Sequence, residues 1–489
     1  MIIHTNKVLY DKKKIDHFLQ QANQIVPTQP SVETCKLLET SVVAEDDGVR
    51  HLSDFPKSDL PKQHMNALLL DGYPYFSYYS QKDSKLFIAH PMRSGKFLLD
   101  NASGDLAPPV AQAILSRAHR LPNGGLAWYY PRHYNVARML GPYLKYSAIS
   151  QGTLLGGFAA AGDRHDFLAR SAKETFKAFL WPFQLGGVNL NNVAVLEMPS
   201  FAGPPEIILN GWIDALLHIR DYGEKYSDHE ALNLFSNNIN FLTEILPLFD
   251  CREQNISRYS DLCPYRAKVV LASKDDVKSL RVLYVPKFSQ LDPILVPLKM
   301  REDGQEFSNY ENQILRQNGK NCFVWLSCSQ LYDTVLIADS KEMSVHLNAG
   351  VLNRKYAGPG VEPLGVEITK QTVMEDDGTC RIVLSTSDGL HGGYPTNFAK
   401  DGIENFYHCY HVISMLVLAV GNLVPVQQKN VIVKWALQWL DDMSFIKEKE
   451  GLIFRDPQMM LDAVNASKIT PSIKKIDDLL VEANKGCSF

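Results

Sequence analysis

Closely spaced cysteine pairs are missing from this sequence. Its eight cysteines are scattered over 489 residues, and no two of them form a Cys-x-x-Cys pair. Structural zinc modules depend on such pairs, so the sequence argues against a zinc domain. Scattered cysteines are typical of reduced thiols, and we expect a cytoplasmic protein.

Long hydrophobic runs are lacking as well. The longest relevant run, 412–420, is interrupted by Ser414 and reaches about half the length that a bilayer requires. It therefore predicts a buried helix. The first residues, MIIHTNKVLYDKKK, do not combine a charged start with an apolar segment. We expect no signal peptide, no anchor and no membrane partner.

Four familiar motifs are absent: the Walker loop, G-x-G-x-x-G, H-E-x-x-H and G-x-S-x-G. Nucleotide-binding, zinc-protease and α/β-hydrolase functions therefore lose their usual support in the sequence.

Acidic residues are absent from the segment 106–162, although the chain as a whole has a net charge of −4. This segment contains five cations and two histidines, which are Arg117, Arg120, Arg132, Arg138, Lys145, His119 and His133. Such a local excess favours an anionic ligand, although a solvated face or contacts with carboxylates elsewhere would give the same pattern. Because the chain has no basic stripe, we expect a small or polymeric acid and no nucleic acid.

Hydrophobic periodicity predicts an α+β protein. Helical patterns run over 135–250 and return at 404–421, 429–446 and 472–484, and a capping box from Ser227 to Glu230 marks one helix start. Residues 65–100 indicate β-hairpins with a turn at Asp71-Gly72. We divide the chain into an N-terminal β-rich region, a first helical part, a β-rich insertion and a second helical part, at 1–120, 121–265, 266–400 and 401–489.

Two loops carry candidate residues for proton chemistry. Glu197 ends an apolar run in NVAVLEMPSFAGPPEI, and a carboxyl at a buried edge has the raised pKa that a general base requires. Arg258 and Tyr259 pair a carboxylate clamp with a proton donor. An ordinary loop acid and a packed or solvated Arg-Tyr pair are the commoner explanations of these patterns.

The stretch FYHCYH presents a third candidate. Tyr407, Tyr410 and His411 share one side of a helix, and His408 and His411 are three residues apart. A metal site, a proton-transfer site and a helix start with core tyrosines and satisfied histidines all fit, but no acidic residue or cysteine completes a metal-ligand pattern. We predict no metal at the site and no required cofactor. A structural divalent cation at 163–166 or 375–377 would have unspecific spacing.

Five motifs, in this order, resemble the C-terminal domain of the D-glucuronyl C5-epimerases. They are an S-A-x-x-Q-G helix, a glutamate loop leading into L-N-G, an L-P-L-[YF]-D helix end, a tyrosine-bearing loop and Y-H-x-x-H. Here they lie at Ser147–Gly152, Glu197 with Leu209-Asn210-Gly211, Leu246–Asp250, Tyr259 and Tyr407–His411. The likeness covers roughly 125–265 and 400–445, and the missing Golgi-type anchor favours a bacterial member.

The resemblance implies an N-terminal β region and an incomplete α/α barrel, here interrupted by the β-rich insertion. It also implies inversion of C5 of D-glucuronate to L-iduronate within a heparosan-like acidic polysaccharide, by proton transfer on both faces of the sugar. A homodimer is expected. A uronate polysaccharide lyase, which starts with the same deprotonation, and a non-catalytic glycan-binding protein remain the alternatives.

The resemblance also implies roles for individual residues. Glu197 and Tyr407 match the catalytic glutamate and tyrosine of the family, and Tyr259 matches a third catalytic tyrosine, although an ungapped comparison places Ser257 there. Arg258 takes the part of a carboxylate-binding arginine. The other expected substrate-binding residues are Arg132, His133, Arg138, Lys145, Asn210, His408 and His411.

Two departures from the family pattern bear on the substrate. Met198 stands where a functional tyrosine often follows the glutamate. The β-rich insertion replaces a short connection and would reshape the cleft.

Overall fold

The computed structural model describes residues 12–24, 48–55, 67–77, 86–130, 146–197, 199, 204–251, 256–271, 280–297, 299–301, 313–317, 321–338, 343–349, 371–374, 380–384, 404–420 and 423–449. Helices and small, mainly antiparallel sheets alternate in this part of the chain, which confirms the predicted α+β class.

Nine α-helices lie within the described residues. They are α1 (Lys12–Gln24), α2 (Pro91–Asp100), α3 (Ala107–Leu115), α4 (Ala148–Ala161), α5 (Asp166–Lys177), α6 (Leu209–Tyr226), α7 (His229–Ile245), α8 (Glu404–Val420) and α9 (Val426–Lys449). The last two confirm the predicted helices at 404–421 and 429–446, whereas 472–484 lies outside the described residues. No helix in the described part of the chain has the length and hydropathy of a membrane span.

The helices that follow the N-terminal region pack as a row. Helix α4 contacts α2, α5 and α6, while α6 also contacts α7 and α8, and α8 contacts α9. Helix α6 is therefore central, and all but four of its eighteen residues are buried. Closure of this row into an incomplete α/α barrel, and the division of the chain into four parts, stay predictions.

The N-terminal region contains a four-stranded sheet in the order β1-β4-β3-β2. Its strands are β1 (Val49–His51), β2 (Ala67–Leu70), β3 (Tyr73–Ser77) and β4 (Leu86–Ile88). The predicted hairpin turn is confirmed, since Asp71 and Gly72 join β2 to β3 with φ values of 50° and 81°. The hairpin prediction was wrong over 91–100, because Pro91 lies in the first turn of α2, where a missing N–H costs no helical hydrogen bond.

The start of α7 differs from the predicted capping box. Asp228 is the N-cap, and its carboxylate accepts the backbone N–H groups of Glu230 and Ala231 at 3.0 and 3.1 Å. Ser227 instead ends α6 in the left-handed region with a φ of 50°. A residue that terminates one helix in this way cannot also hold the extended backbone of an N-cap.

Glycines let α4 approach its neighbours closely, as its composition predicts. A Cβ atom on Gly95 of α2 would lie 2.5 Å from the backbone nitrogen of Leu154, and one on Gly157 would lie 2.8 Å from the carbonyl oxygen of Gly95. Both contacts are with backbone atoms, so no side chain can rotate away to make room.

Gly95→Ala is therefore expected to lower the free energy of unfolding by about 1–3 kcal/mol or more, because the two helices must move apart. The higher helix propensity of alanine offsets only about 1 kcal/mol of this loss. Thermal denaturation followed by circular dichroism would measure it. Gly104→Ala is the control, since the nearest atom to its Cβ would be 3.5 Å away. Equal melting temperatures for the two variants would contradict the expected clash.

The strands predicted from 266 to 400 form two five-stranded sheets within the described residues, although the first strand begins at Leu262 rather than at 266. The first sheet has the order β14-β15-β16-β11-β18, formed by Lys299–Arg301, Gln313–Gln317, Asn321–Ser329, Leu262–Leu271 and Met343–Ala349. The second has the order β13-β12-β17-β20-β19, formed by Ile294–Pro297, Leu280–Pro286, Tyr332–Ala338, Cys380–Leu384 and Gln371–Met374.

The second sheet is buried on both faces. Along β12, Val282 and Tyr284 join the large hydrophobic core that contains the helices, while Leu283 and Val285 belong to a smaller cluster on the opposite face. This alternation follows from the two-residue period of a strand. Helix α1 covers the smaller cluster with Ile15, Leu19 and Ala22. The described side chains of this sheet thus lie between α1 and the helices and share the core of the helices.

Candidate active site

Glu197 follows a short hairpin that contacts the first residue of α4. The hairpin strands are β7 (Asn189–Leu190) and β8 (Ala194–Val195). The backbone of Leu196 donates to the carbonyl of Val188 at 2.8 Å and accepts from the N–H of Ala148, the first residue of α4, at 3.1 Å. The residue before Glu197 is thereby fixed on both sides, which positions the glutamate.

Gly211 provides the space in which the Glu197 carboxyl lies. A Cβ atom at position 211 would overlap the Oε2 atom and the carboxyl carbon of Glu197. Gly211 is in the first turn of α6, where backbone N–H groups are not used within the helix. The L-N-G motif therefore has a physical reason, because only glycine admits the carboxyl to this helix start.

The environment of Glu197 favours its protonated form. Burial raises its pKa from 4.5 to about 8, and the carboxylates of Glu206 and Asp214 add to this, while a hydrogen bond from the Gly211 backbone acts in the opposite direction. The residue keeps some exposure to solvent, but its Oε2 is enclosed and has no hydrogen-bond partner among the described residues. At neutral pH the side chain is therefore mostly a carboxylic acid that can donate a proton.

A raised pKa also makes the stability of the protein depend on pH. Folding raises the pKa of Glu197, so the folded state binds the proton of this carboxyl more tightly than the unfolded state does. The resulting stabilisation is complete below the unfolded pKa of 4.5. It is lost as the pH rises from 4.5 to about 8. Glu197→Gln cannot ionise. We expect this variant to gain about 1.4 kcal/mol over the parent for each pH unit in that window. Urea denaturation from about pH 5 to 8 would measure it.

Glu224→Gln, at an exposed position on α6, is the matched control for the substitution itself. Other titrating groups, including buried Asp261, are common to all three proteins and cancel in the comparison. A constant difference between Glu197→Gln and the parent across the range would contradict the raised pKa.

Helix α6 carries a polar strip, Asn210, Asp214 and His218, that is 6, 3 and 3% exposed. Asn210 Oδ1 and His218 Nε2 have no partner among the described residues, whereas Asp214 accepts a hydrogen bond from Tyr410. The His218 ring occupies the space above Gly156 of α4, where a Cβ would overlap its Nδ1 atom. Buried polar atoms usually find partners, so the unsatisfied atoms of this strip are candidates for contact with a polar ligand.

Tyr410 is a site residue to which the sequence assigned no role. Its hydroxyl donates to Oδ1 of Asp214 at 2.6 Å, which joins α8 to α6 across 196 residues. The tyrosine is partly exposed and Asp214 is buried. The sequence showed that Tyr407, Tyr410 and His411 share one side of a helix. It did not show that Asp214 lies opposite Tyr410.

His408 and His411 hold the loop at Ser257 rather than face a ligand. Both are 0% exposed, so the prediction that they bind substrate directly does not fit their placement. The Ser257 N–H donates to His408 Nδ1 at 2.9 Å, which makes Nδ1 an acceptor and leaves Nε2–H to donate to the Trp439 carbonyl at 3.0 Å. Ser257 Oγ also lies 2.8 Å from His411 Nδ1.

Burial lowers the pKa of His408 to about 4, and burial together with the neighbouring His408 lowers the pKa of His411. Both rings are therefore neutral near pH 7. Within the described residues, no group of three His, Cys, Asp or Glu side chains is placed to hold a metal ion. Of the two acidic stretches considered for a cation, Asp163 pairs with Lys225 at 2.8 Å, and 375–377 lies outside the described residues.

Arg258 and Tyr259 lie beside the start of α6. The Leu209 N–H donates to the Tyr259 carbonyl at 3.0 Å, and Tyr259 is partly exposed. Arg258 is 5% exposed, and its Nε donates to the carbonyl of Asp250 at 3.3 Å. Tyr259 is thus close to the glutamate pocket, while much of Arg258 is buried in packing. Their roles stay predictions.

Asp261 connects this loop to the β-rich insertion. Its carboxylate accepts the N–H of Ile207 at 2.6 Å and the hydroxyl of Ser329 at 2.8 Å, and it is 0% exposed. Burial raises its pKa to about 7, and these hydrogen bonds act in the opposite direction. Ile207 precedes α6 and Ser329 ends a strand of the insertion, so Asp261 ties the insertion to the helix start under Glu197.

Several predicted site residues cannot be placed. Arg132, His133, Arg138 and Lys145 lie outside the described residues, and the structure describes the backbone but not the side chain of Tyr407. Two other cations of the acid-free segment have structural partners. Arg117 donates to the Tyr75 hydroxyl at 2.8 Å, and Arg120 pairs with Glu174 at 3.0 Å.

A protonated carboxyl, a tyrosine–aspartate pair and unsatisfied polar atoms around one helix start define a candidate proton-transfer site on an α+β scaffold. Residues 124–280 match the family model described as D-glucuronyl C5-epimerase C-terminus, which supports the resemblance to the D-glucuronyl C5-epimerases over this segment. The segment is less than half of the chain and contains Glu197, Gly211 and Asp214. Comparison with curated proteins gave no match. The family supports a glucuronyl C5-epimerase-like function and implies an epimerase.

Proposed function

We propose that the protein is a D-glucuronyl C5-epimerase that converts D-glucuronate to L-iduronate within a heparosan-like acidic polysaccharide. The observation that carries this proposal is the enclosed carboxyl of Glu197 against Gly211, whose raised pKa favours the protonated form, inside the segment that matches the family. Inversion at C5 needs one group that removes a proton and a second group that returns one to the opposite face. A carboxylic acid that stays protonated near neutral pH suits the second task.

The hydrogen on C5 is a very weak acid, so the site must also stabilise the enolate-like intermediate on the uronate carboxylate. Donors and cations near that carboxylate would do this. Tyr259, Arg258 and Asn210 border the start of α6, and the cations at 132, 138 and 145 are proposed to line the groove for the polymer. Tyr407 is the proposed counterpart of Glu197 by resemblance to the family. The chemistry requires no cofactor, and the homodimer also remains a proposal.

The test is incubation of the full chain with heparosan in heavy water, followed by nuclear magnetic resonance of the polymer. Deuterium at C5 together with L-iduronate, and no chain cleavage, is the expected result. Unsaturated uronate ends that absorb in the ultraviolet, without iduronate, would show a lyase instead. Binding of heparosan without any exchange at C5 would show a glycan-binding protein and would also reject the proposal.

A further inference from the structure

We propose that Tyr410 and Asp214 act together as the proton-accepting pair of this site, opposite Glu197 as the donor. The inference rests on the proposed function and deepens it, because it assigns the direction of proton transfer and names this pair, in place of Tyr407, as the counterpart of Glu197. In the direction from D-glucuronate, Tyr410 would be a catalytic residue that meets C5, and Asp214 would act through Tyr410.

The different exposure of Tyr410 and Asp214 to solvent supports their action as a pair. Tyr410 is partly exposed and can meet a bound sugar, whereas Asp214 is 3% exposed and lies behind it. Their oxygen atoms are 2.6 Å apart, a short distance typical of a hydrogen bond between a hydroxyl and a carboxylate. A proton that arrives on the phenol oxygen can therefore be matched by transfer of the phenol proton to Asp214.

Helix α6 sets the distance between the donor and the acceptor pair. Glu197 lies against Gly211, and Tyr410 reaches Asp214, three residues further along the same helix. Residues three apart are neighbours on one helix face and are separated by roughly 4.5 Å along the axis. The two proton-transfer groups thus meet one face of α6 nearly one turn apart.

The electrostatics distinguish the two groups. Glu197 faces the carboxylates of Glu206, just before α6, and Asp214, on α6 itself, and both favour its protonated form. Asp214, in contrast, accepts a hydrogen bond from the Tyr410 hydroxyl. His218 and Asn210 complete the polar strip of α6.

The steps balance without any co-reactant. The C5–H bond breaks, its proton moves to the Tyr410 oxygen, and the phenol proton moves to Asp214. The electron pair left on C5 delocalises into the uronate carboxyl group. Glu197 then gives its proton to the opposite face of C5 and becomes a carboxylate. Exchange with solvent returns a proton to Glu197 and removes one from Asp214.

The test is the pattern of deuterium exchange in folded Tyr410→Phe, using polymers that contain either D-glucuronate or L-iduronate. Without the phenol, exchange into D-glucuronate should fall by about 10²–10⁴-fold, because general base catalysis is lost. Exchange into L-iduronate, which the Glu197 carboxylate starts from the other face, should persist without inversion. Asp214→Asn should give the same one-sided pattern and serves if Tyr410→Phe does not fold.

Tyr222→Phe is the matched control, since it also removes a tyrosine hydrogen bond to an aspartate, here Asp228 at 3.0 Å. It should leave both exchanges unchanged. Equal loss of both exchanges in Tyr410→Phe and Asp214→Asn would indicate a structural role and overturn the inference. So would a one-sided pattern in Tyr407→Phe with normal exchange in Tyr410→Phe. If the parent shows no exchange at all, the proposed function itself fails.

Discussion

Replacing Glu197 by glutamine is expected to lower the rate of L-iduronate formation from heparosan by at least about 10²–10⁴-fold, the contribution typical of a positioned acid or base. Glutamine has nearly the same shape, so it can still lie against Gly211. It cannot release a proton to C5, so inversion stops even where the other face of the sugar still exchanges. The measurement is the iduronate content of the polymer by nuclear magnetic resonance.

The control for this loss is Glu224→Gln on the exposed side of α6, which should keep the parent rate. Circular dichroism and heparosan binding should be preserved in both variants. Parent-like iduronate formation by folded Glu197→Gln would remove Glu197 from the reaction and with it the main support for the proposed function.

Gly211→Ala should disable the site without replacing any group that transfers protons. The new Cβ would overlap the Glu197 carboxyl, so the carboxyl must move away from the helix start. A displacement of about 1 Å in a catalytic group can cost about 10²-fold in rate, and we expect a loss of at least this size. Alanine is otherwise favourable in a helix by about 1 kcal/mol, and this offsets part of the strain from the Glu197 Cβ atom, which would lie 2.7 Å from the new one. Steady-state kinetics on heparosan would measure the rate.

Gly223→Ala on the same helix is the matched control for this clash. Its Cβ would approach the end of the Leu232 side chain at 2.8 Å, and that side chain can rotate. A second check is Gly211→Ala in a Glu197→Gly background, where neither the carboxyl nor the Cβ atom of residue 197, 2.7 Å from the new Cβ, is left to collide. The effect of the alanine on stability should then be only that of helix propensity. Full activity in Gly211→Ala would show that the carboxyl need not lie at this helix start.

The sequence identified Glu197 but not the groups that control it. An apolar run that ends in a single acid is a local pattern, and it correctly indicated a buried edge. Its neighbour Asp214 was not among the candidate residues taken from the sequence. Helix α6 comes to lie against Glu197 through tertiary packing, and Gly211 is the residue that permits the approach. Periodicity carries no information about such a distance.

The two histidines, His408 and His411, show what a local sequence pattern cannot predict. Spacing placed His408 and His411 on one helix side, and the resemblance implied contact with substrate. Ser257 and Trp439 belong to distant parts of the chain and cover both rings. Whether a polar helix face meets ligand or protein depends on those partners, which a local pattern cannot contain. The same reason explains why Tyr410 received no role before Asp214 was seen beside it.

Sequence patterns predicted the structure better where neighbouring residues in the chain determine it. The Asp71-Gly72 turn, the alternating strands of the insertion and the small residues of α4 all behaved as their chemistry predicts. Helix α2 was missed because the aromatic strands before it extended the β pattern too far, although Pro91 signalled a helix start.

The hydrogen bond between Asp214 and Tyr410 also constrains how the protein is made. Its two residues are 196 positions apart, with the whole insertion between them. At about 5–20 residues per second, Tyr410 is synthesised roughly 10–40 s after Asp214. During that interval the polar strip of α6 is on a nascent chain without α8 to cover it, and contacts of this separation form slowly. We therefore expect the first half of the chain to engage chaperones on the ribosome and to acquire its proton-accepting pair only in the last stage of folding.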